Sequence, residues 1–273
     1  MNQEMNQEMN QGFYNPELVV DHTFVEAYEL NAYMAKVFGW MFYGLLVTAL
    51  TTAALVFGIN NSPAIGEAVL AVLHMPWIIL LFQFGLVWFI SARVHQMQPF
   101  TAKILYTIYA MSVGLTIGIL VYLLAEYVLG FNTVIATFAV TSLSFGAMAV
   151  YGLATKRDLT RIHSLLGVAL FGIIIAAIAN WFVGSGMLDF IVLYGGLLVF
   201  LGIVAARTNL IKSQYAQVAM YNRQEDGTVS YEGQMLLDNL AIHGALGLYL
   251  AFVNIFLRIL MIMGRAKGGG GRR

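Results

Sequence analysis

Cysteine is absent from this 273-residue chain, which excludes disulfides and thiolate metal sites but says little about compartment, because membrane chains often lack it too. Charge is scarce: Asp, Glu, Lys and Arg make up 10% of the residues. The 14 basic and 14 acidic residues balance, and the basic ones are dispersed over short loops without interleaved aromatics, so no nucleic-acid surface is expected. Catalytic signatures are missing as well, with no HExxH, no Walker loop and no GxSxG. Gly184 and Gly186 flank Ser185, but with no base nearby in sequence this reads as a turn. Pairing Ser185 with His243 as an intramembrane protease would need a positioned hydrogen bond and oxyanion donors that the spacing does not promise. Lys36, Lys103, Lys156, Lys212 and Lys267 stand at the edges of apolar stretches or between them, so no mid-span lysine exists to form a retinal Schiff base. These absences predict no enzyme, no cofactor and no metal site.

What is present is apolar. Hydrophobic residues make up 60% of the chain and the mean hydropathy is +0.77, far above a soluble domain's balance. Charged residues fence off seven uncharged stretches, at 37–66, 68–92, 104–125, 127–155, 162–187, 190–206 and 239–257. Each can hold a helix of about 17 to 25 residues, the length that crosses a hydrocarbon core of roughly 30 Å. Strands are not expected, because a membrane β-barrel alternates apolar and polar residues and these runs are apolar on every side. The sequence therefore predicts an all-α polytopic membrane protein in contact with the lipid bilayer. Its parts are a polar N-terminal tail at 1–35, a seven-helix transmembrane domain at 36–264 and a basic, glycine-rich C-terminal tail at 265–273. The N-terminal tail opens with MNQE twice, at 1–4 and 5–8, a repeat that cannot bury a core. The first apolar stretch lies too far into the chain for a cleaved signal peptide. One long polar loop is expected at 212–236.

Orientation follows from lysine and arginine. The loops after spans two, four and six carry Arg93 and Lys103, then Lys156, Arg157 and Arg161, then Arg207, Lys212 and Arg223, whereas those after spans one, three and five carry none. Basic loops stay cytoplasmic, which places the N-terminus in the cytoplasm of a multi-pass protein of the cell's inner (plasma) membrane. Seven crossings then put the C-terminus outside, in conflict with Arg265, Lys267, Arg272 and Arg273. A last segment that enters and returns on one side would resolve the conflict. The basic tail also has two readings, a contact with anionic lipid or a solvated end.

Small and polar residues line helical faces. In the last span Leu240, Gly244, Gly247, Ala251, Asn254 and Arg258 recur at steps of three and four, a low-volume stripe that should point into the bundle. Related rows are Ala169, Gly172, Ala176 and Asn180 in span five, and Gly195, Val199, Gly202 and Ala206 in span six. Close helix packing explains such rows, and so does a central cavity in which Asn180 or Asn254 offers oxygens to a permeating cation.

FISARVHQM at 89–97, YGLATKRDLTR at 151–161 and ALGLYLAFVNIFLRIL at 245–260 resemble the Bax-inhibitor (transmembrane Bax inhibitor motif) family, and the likeness runs from about residue 33 to 264. The resemblance implies six helices around a central seventh and a pH-sensitive calcium leak. From a bacterial relative it also implies restraint of a membrane-bound protease. Calcium or another cation and a membrane protease are thus the expected partners.

The family's pore aspartates are missing. Where family members read close to TAYDTQKIK, this chain has VAARTNLIK at 204–212, and where they read LYLDFIN it has LYLAFVN at 248–254. The aspartates fall on Arg207 and Ala251, while the family's arginine near the end of span two is matched by Arg93. A buried carboxylate pair can share a proton and switch with pH, and neither member remains. Arg207, if it lies where the aspartate would, sets a permanent cation beside Arg93 near the cytoplasmic mouth and disfavours Ca²⁺. Alternatively Arg207 snorkels to the headgroups as a topology anchor. Asp238 is a candidate partner for Arg207 or Arg93, or an exposed surface acid. The candidate pore or gate positions are accordingly Arg93, Arg207, Asp238, Ala251 and Asn254. Two roles follow: an ion-homeostasis protein with altered or lost calcium conduction, or a non-conducting adaptor that modulates another membrane protein.

Overall fold

The computed structural model describes residues 22–74, 76–94, 96–224 and 227–270; the MNQE repeat, Glu225, Asp226, Arg272 and Arg273 lie outside them. The described residues form helices α1 (His22–Asn61), α2 (Pro63–His74), α3 (Pro76–Arg93), α4 (Pro99–Leu124), α5 (Phe131–Ala154) and α6 (Thr160–Val183). They continue with α7 (Gly186–Tyr221) and α8 (Tyr231–Gly270). Six of these are long and apolar enough to cross a membrane, and α3 is a shorter apolar helix. At about 1.5 Å per residue its 18 residues reach ~27 Å, just under the core thickness. The chain is an all-α polytopic membrane protein.

Local chemistry sets the breaks. Proline opens α2, α3 and α4, where its missing N–H would have no helical partner anyway. Gly184 ends α6 at φ 63°, its N–H donating to the Asn180 carbonyl at 2.8 Å. Ser185 then caps α7, its hydroxyl accepting from the Leu188 N–H, so the Gly-Ser-Gly triplet is a turn. A π-turn at Ala125–Leu129 follows α4, and another at Ile191–Gly195 interrupts α7.

Three expected boundaries move. The second apolar stretch is divided between α2 and α3. The expected loop at 212–236 shrinks to the residues between Tyr221 and Tyr231, where Arg223 and Val229 form an antiparallel bridge. Helix continues to Tyr221 because Ile211, Tyr215 and Ala219 recur every four residues and bury one face of a polar segment. Likewise α1 starts inside the expected tail, and buried Tyr33, Met34 and Val37 continue its packed face. At the other end α8 is one unbroken helix through Gly270, so the last segment does not turn back on itself.

The last helix is the core of the bundle. Half of its most apolar stretch is buried, against none of α6, and it packs on α1, α4, α5 and α7. From Asn239 to Tyr249 every residue but His243 is buried. A helix buried on all sides must be surrounded by others. Ion pairs mark its two ends: Lys36 with Asp238 at 2.5 Å, and Asp189 with Arg265 at 2.6 Å. Asp238 and Arg265 are 27 residues apart, about 40 Å, close to the bilayer with its headgroup layers. The Asp189 partner also offsets one of the C-terminal basic charges that conflicted with the loop pattern.

Candidate functional site

The antiparallel pair α7 and α8 holds two arginines inside the bundle, each laid on a glycine of the other helix. A methyl group at Gly247 of α8 would overlap Nη1 and Cζ of Arg207 and stand 2.7 Å from its Nε. A methyl group at Gly196 of α7 would overlap Nη1 and Cζ of Arg258 and stand 2.6 Å from its Nη2. Gly196 and Arg207 are 11 residues apart, as are Gly247 and Arg258. Eleven residues make about three turns, so glycine and arginine share a face on each helix and the two contacts are reciprocal. At both places a Cβ would occupy the guanidinium's space, so an alanine would force the end of the arginine side chain to move. The equal spacing was present in the sequence, but nothing local says that the two pairs answer each other.

The two cations differ in their partners. Nη1 of Arg258 donates to the Val192 carbonyl and, at 3.4 Å, to that of Leu193. Both carbonyls belong to the π-turn of α7, and the Arg258 Cζ sits 5.3 Å from the Phe200 ring centroid. For Arg207 no hydrogen bond or ion pair to a described residue is found, and none of its nitrogens is among the sealed polar atoms. Its seat, Gly247, lies nine residues beyond Asp238, about 13 Å further along α8.

The remaining candidates fall in different places. Ala251, one turn beyond Gly247, is buried at 1% exposure. Asn254 is partly buried and turns its amide back to the Leu250 carbonyl at 2.8 Å. Asn180 Oδ1 is buried with no partner among the described residues. Asp238 pairs with Lys36 of α1 and with neither arginine, a correction to the expected partnership; at the bundle end Lys36 is the nearer cation. Arg93 is exposed at the end of α3, its Cζ 5.9 Å from the Phe89 centroid, so the expected pair of cations with Arg207 does not gather. Ser185 and His243 sit toward opposite ends of the bundle: Ser185 is four residues from the Asp189 that meets Arg265, and His243 is five residues from Asp238.

Two polar networks were not read from the sequence. Tyr249, fully buried, meets Tyr106 and Tyr109 edge-on with centroids 6.1 and 6.0 Å away, and its hydroxyl lies 2.6 Å from that of Thr48. Thr48 directs its single proton at the Gly44 carbonyl at 2.9 Å and the Ala110 carbonyl at 3.1 Å, so Tyr249 is the donor to Thr48. This threads α1, α4 and α8 together. The second network fastens the α5–α6 loop to α7. Asn209 Oδ1 accepts from the Leu159 N–H at 3.1 Å, its Nδ2 donates to the Gly152 carbonyl at 3.4 Å, and Lys212 Nζ reaches the Leu153 carbonyl at 3.3 Å. In that loop Asp158 accepts from the Thr160 hydroxyl and N–H, which holds its carboxyl below the usual range.

Among the described residues, no carboxylate pairs with Arg207 or Arg258 in the seam between α7 and α8. Among the described residues, no cluster of three His, Cys, Asp or Glu could hold a metal. The carboxylates of Glu29, Asp189 and Asp238 are in ion pairs near the bundle ends, and those of Glu67, Glu126 and Glu232 are exposed. At positions 207 and 251 stand a guanidinium laid on Gly247 and a buried methyl.

The chain matches the family described as "Inhibitor of apoptosis-promoting Bax1" over residues 30–268. It is 33% identical over 240 residues to the inner membrane protein YbhL of Escherichia coli, covering 87% of this chain and 93% of the relative. An uncharacterized protein of Rickettsia prowazekii is 31% identical over 243 residues, covering 87% and 91%, and one of Borreliella burgdorferi is 29% identical over 237 residues, covering 87% and 93%. The central last helix, the matched span and these relatives together show that this chain belongs to the Bax inhibitor family of membrane proteins.

Proposed function

We propose that this protein serves ion homeostasis in the cell's inner membrane with the family's bundle but without a carboxylate-gated calcium path, its N-terminus in the cytoplasm. The observation that carries this is the Arg207 guanidinium seated on Gly247, one turn from the buried methyl of Ala251. A divalent cation passing about 6 Å from that charge meets a repulsion on the order of 5 kcal/mol at an effective dielectric constant near 20. Among the described residues no carboxylate pairs with it to offset the charge or to take up a proton, so calcium passes poorly and any leak responds little to pH. A second, non-enzymatic role as an adaptor for a membrane protease or another membrane protein has its own support in α6. That helix crosses the bundle with no buried residue and turns Leu165, Val168, Phe171 and Phe182 outward.

The test is calcium flux into proteoliposomes holding the wild-type protein, with Arg207→Asp plus Ala251→Asp made in parallel. Wild type is expected to leak slowly and the double variant to conduct with a pH response. A brisk wild-type leak that follows pH between about 6 and 8, where coupled carboxylates and histidines titrate, would refute the proposal. For topology, a reporter fused after Arg273 is expected to be active outside the cytoplasm.

A further inference from the structure

We infer that a groove between α1, α4 and α5 holds one acyl chain of a phospholipid whose headgroup carries an ammonium, with Glu126 as the headgroup's partner. None of the residues involved carries the proposed function.

Both α1 and α5 pack on the central helix α8 but scarcely on each other, which leaves a gap that opens sideways. The cavity there measures about 920 Å³, within the roughly 300–1,000 Å³ usual for ligand sites. Phe252 and Phe256 of α8 form its floor and Val121 of α4 lines one side, while Phe57 and Phe131 stand exposed at the rim. It follows α1 from Phe42 to Asn60, 18 residues or about 27 Å. One leaflet's share of a hydrocarbon core of roughly 30 Å is about 15 Å, so a chain fits lengthwise. Midway, Ala49 and Ala53 are exposed to the groove and keep its α1 side shallow. The hydroxyls of Thr48 and Thr52 are spent on carbonyls of α1 and α4, which leaves a lining suited to hydrocarbon.

The other polar groups gather at one end. Tyr122 donates its hydroxyl to Asn60 Oδ1 at 3.2 Å, and Glu126 follows four residues after Tyr122; all three line the cavity. Leu129 of the same π-turn lies beside Gly264, which sets Glu126 at the Arg265 end of the bundle, at headgroup level. Arg265 is paired there with Asp189, whereas Glu126 is exposed and in no ion pair among the described residues.

A tail that leaves the bilayer for the groove gains no hydrophobic free energy, because lipid chains are as apolar as the lining. Selection therefore rests on the polar end. A carboxylate there attracts an ammonium and repels a headgroup whose only charge is its phosphate. Asn60, its Oδ1 taken by Tyr122, has amide donors for an ester or phosphate oxygen.

The experiment gives the full chain, purified in detergent, an equimolar mixture of dioleoyl phosphatidylethanolamine and dioleoyl phosphatidylglycerol, and counts retained lipid by native mass spectrometry. The ethanolamine lipid is expected to be retained over the glycerol lipid by roughly two- to fivefold, the range that an exposed ion pair supports. Glu126→Gln should abolish the preference, whereas Glu232→Gln, which removes an exposed acid at the start of α8, should keep it. Ala53→Trp fills the groove and leaves the polar end intact, so it should lower the retention of both lipids; Ala49→Phe makes the same test should Ala53→Trp not fold. Equal retention of the two lipids by wild type overturns the headgroup assignment, as does an unchanged preference in Glu126→Gln. Undiminished retention in the filled groove overturns the seat of the tail. Calcium flux is not read in this experiment, so the proposed function stands or falls separately.

Discussion

Replacing Gly247 with alanine should strike Arg207 and little else. The added methyl would overlap Nη1 and Cζ and lie 2.7 Å from Nε. The guanidinium is the far end of a flexible side chain, so it can leave, but only by abandoning its seat on α8 or by pushing the two helices apart. Inserting one methylene-sized group into a packed interior costs about 1–3 kcal/mol, a fall in melting temperature of roughly 2–4 °C for each kcal/mol. The informative quantity is the coupling. In an Arg207→Ala background the methyl no longer meets the guanidinium, so Gly247→Ala should cost less than in wild type by about 1 kcal/mol or more, within the usual range for residues in contact. The assay is thermal or denaturant unfolding of the four proteins of this cycle in one detergent. Equal costs of Gly247→Ala with and without the Arg207 side chain would refute the placement of the guanidinium, and with it the reasoning built on the α7–α8 seam.

Three smaller outcomes follow from the rest of the structure. The Lys36–Asp238 pair has side-chain exposures of 40% and 28%, so a double-mutant cycle should yield only about 0.2–1 kcal/mol, declining with added salt. Asn209→Ala leaves the Leu159 N–H and the Gly152 carbonyl without their partner at a buried position; about 1–3 kcal/mol should be lost, read as earlier unfolding with faster amide exchange across the α5–α6 loop. The carboxyl of Asp158 is held below its usual range by Thr160, so its contribution is complete above the unfolded value of about 3.9 and disappears as pH falls through the lower folded value. Protection of the Thr160 amide, corrected for intrinsic exchange, should therefore be flat from neutral pH to about 4 and drop only below. Asp158→Ala should lack it at every pH.

How far the chain was legible depends on how local each property is. Hydropathy is local: uncharged runs fenced by Lys36, Glu67, Arg93, Lys103, Glu126 and Arg161 announced the helices, since the bilayer forces every backbone group to be satisfied within its own segment. The reach of α7 to Tyr221 and of α1 back to His22 was hidden, because polar residues on the outer face masked buried ones such as Tyr215 and Tyr33. The small-residue stripe of the last span was read correctly as facing inward: Gly244, Gly247 and Ala251 are all buried. In its counterpart in span five Ala169, Ala176 and Asn180 are half-buried, while Gly172 is exposed with nothing within 4 Å of a would-be Cβ.

Composition and charge pattern determined that this is a helical membrane protein and that the small-residue stripe of its last span faces inward, whereas the missing acids at positions 207 and 251 were read from the resemblance to the family. They could not say which helix would seat Arg207, nor name the partner of Asp238. Those depend on which side chains meet across helices far apart in the chain, and only the tertiary packing decided them. Gly247 left room for a guanidinium beside α8, Gly196 left room for another beside α7, and Lys36 of α1 stood nearest Asp238.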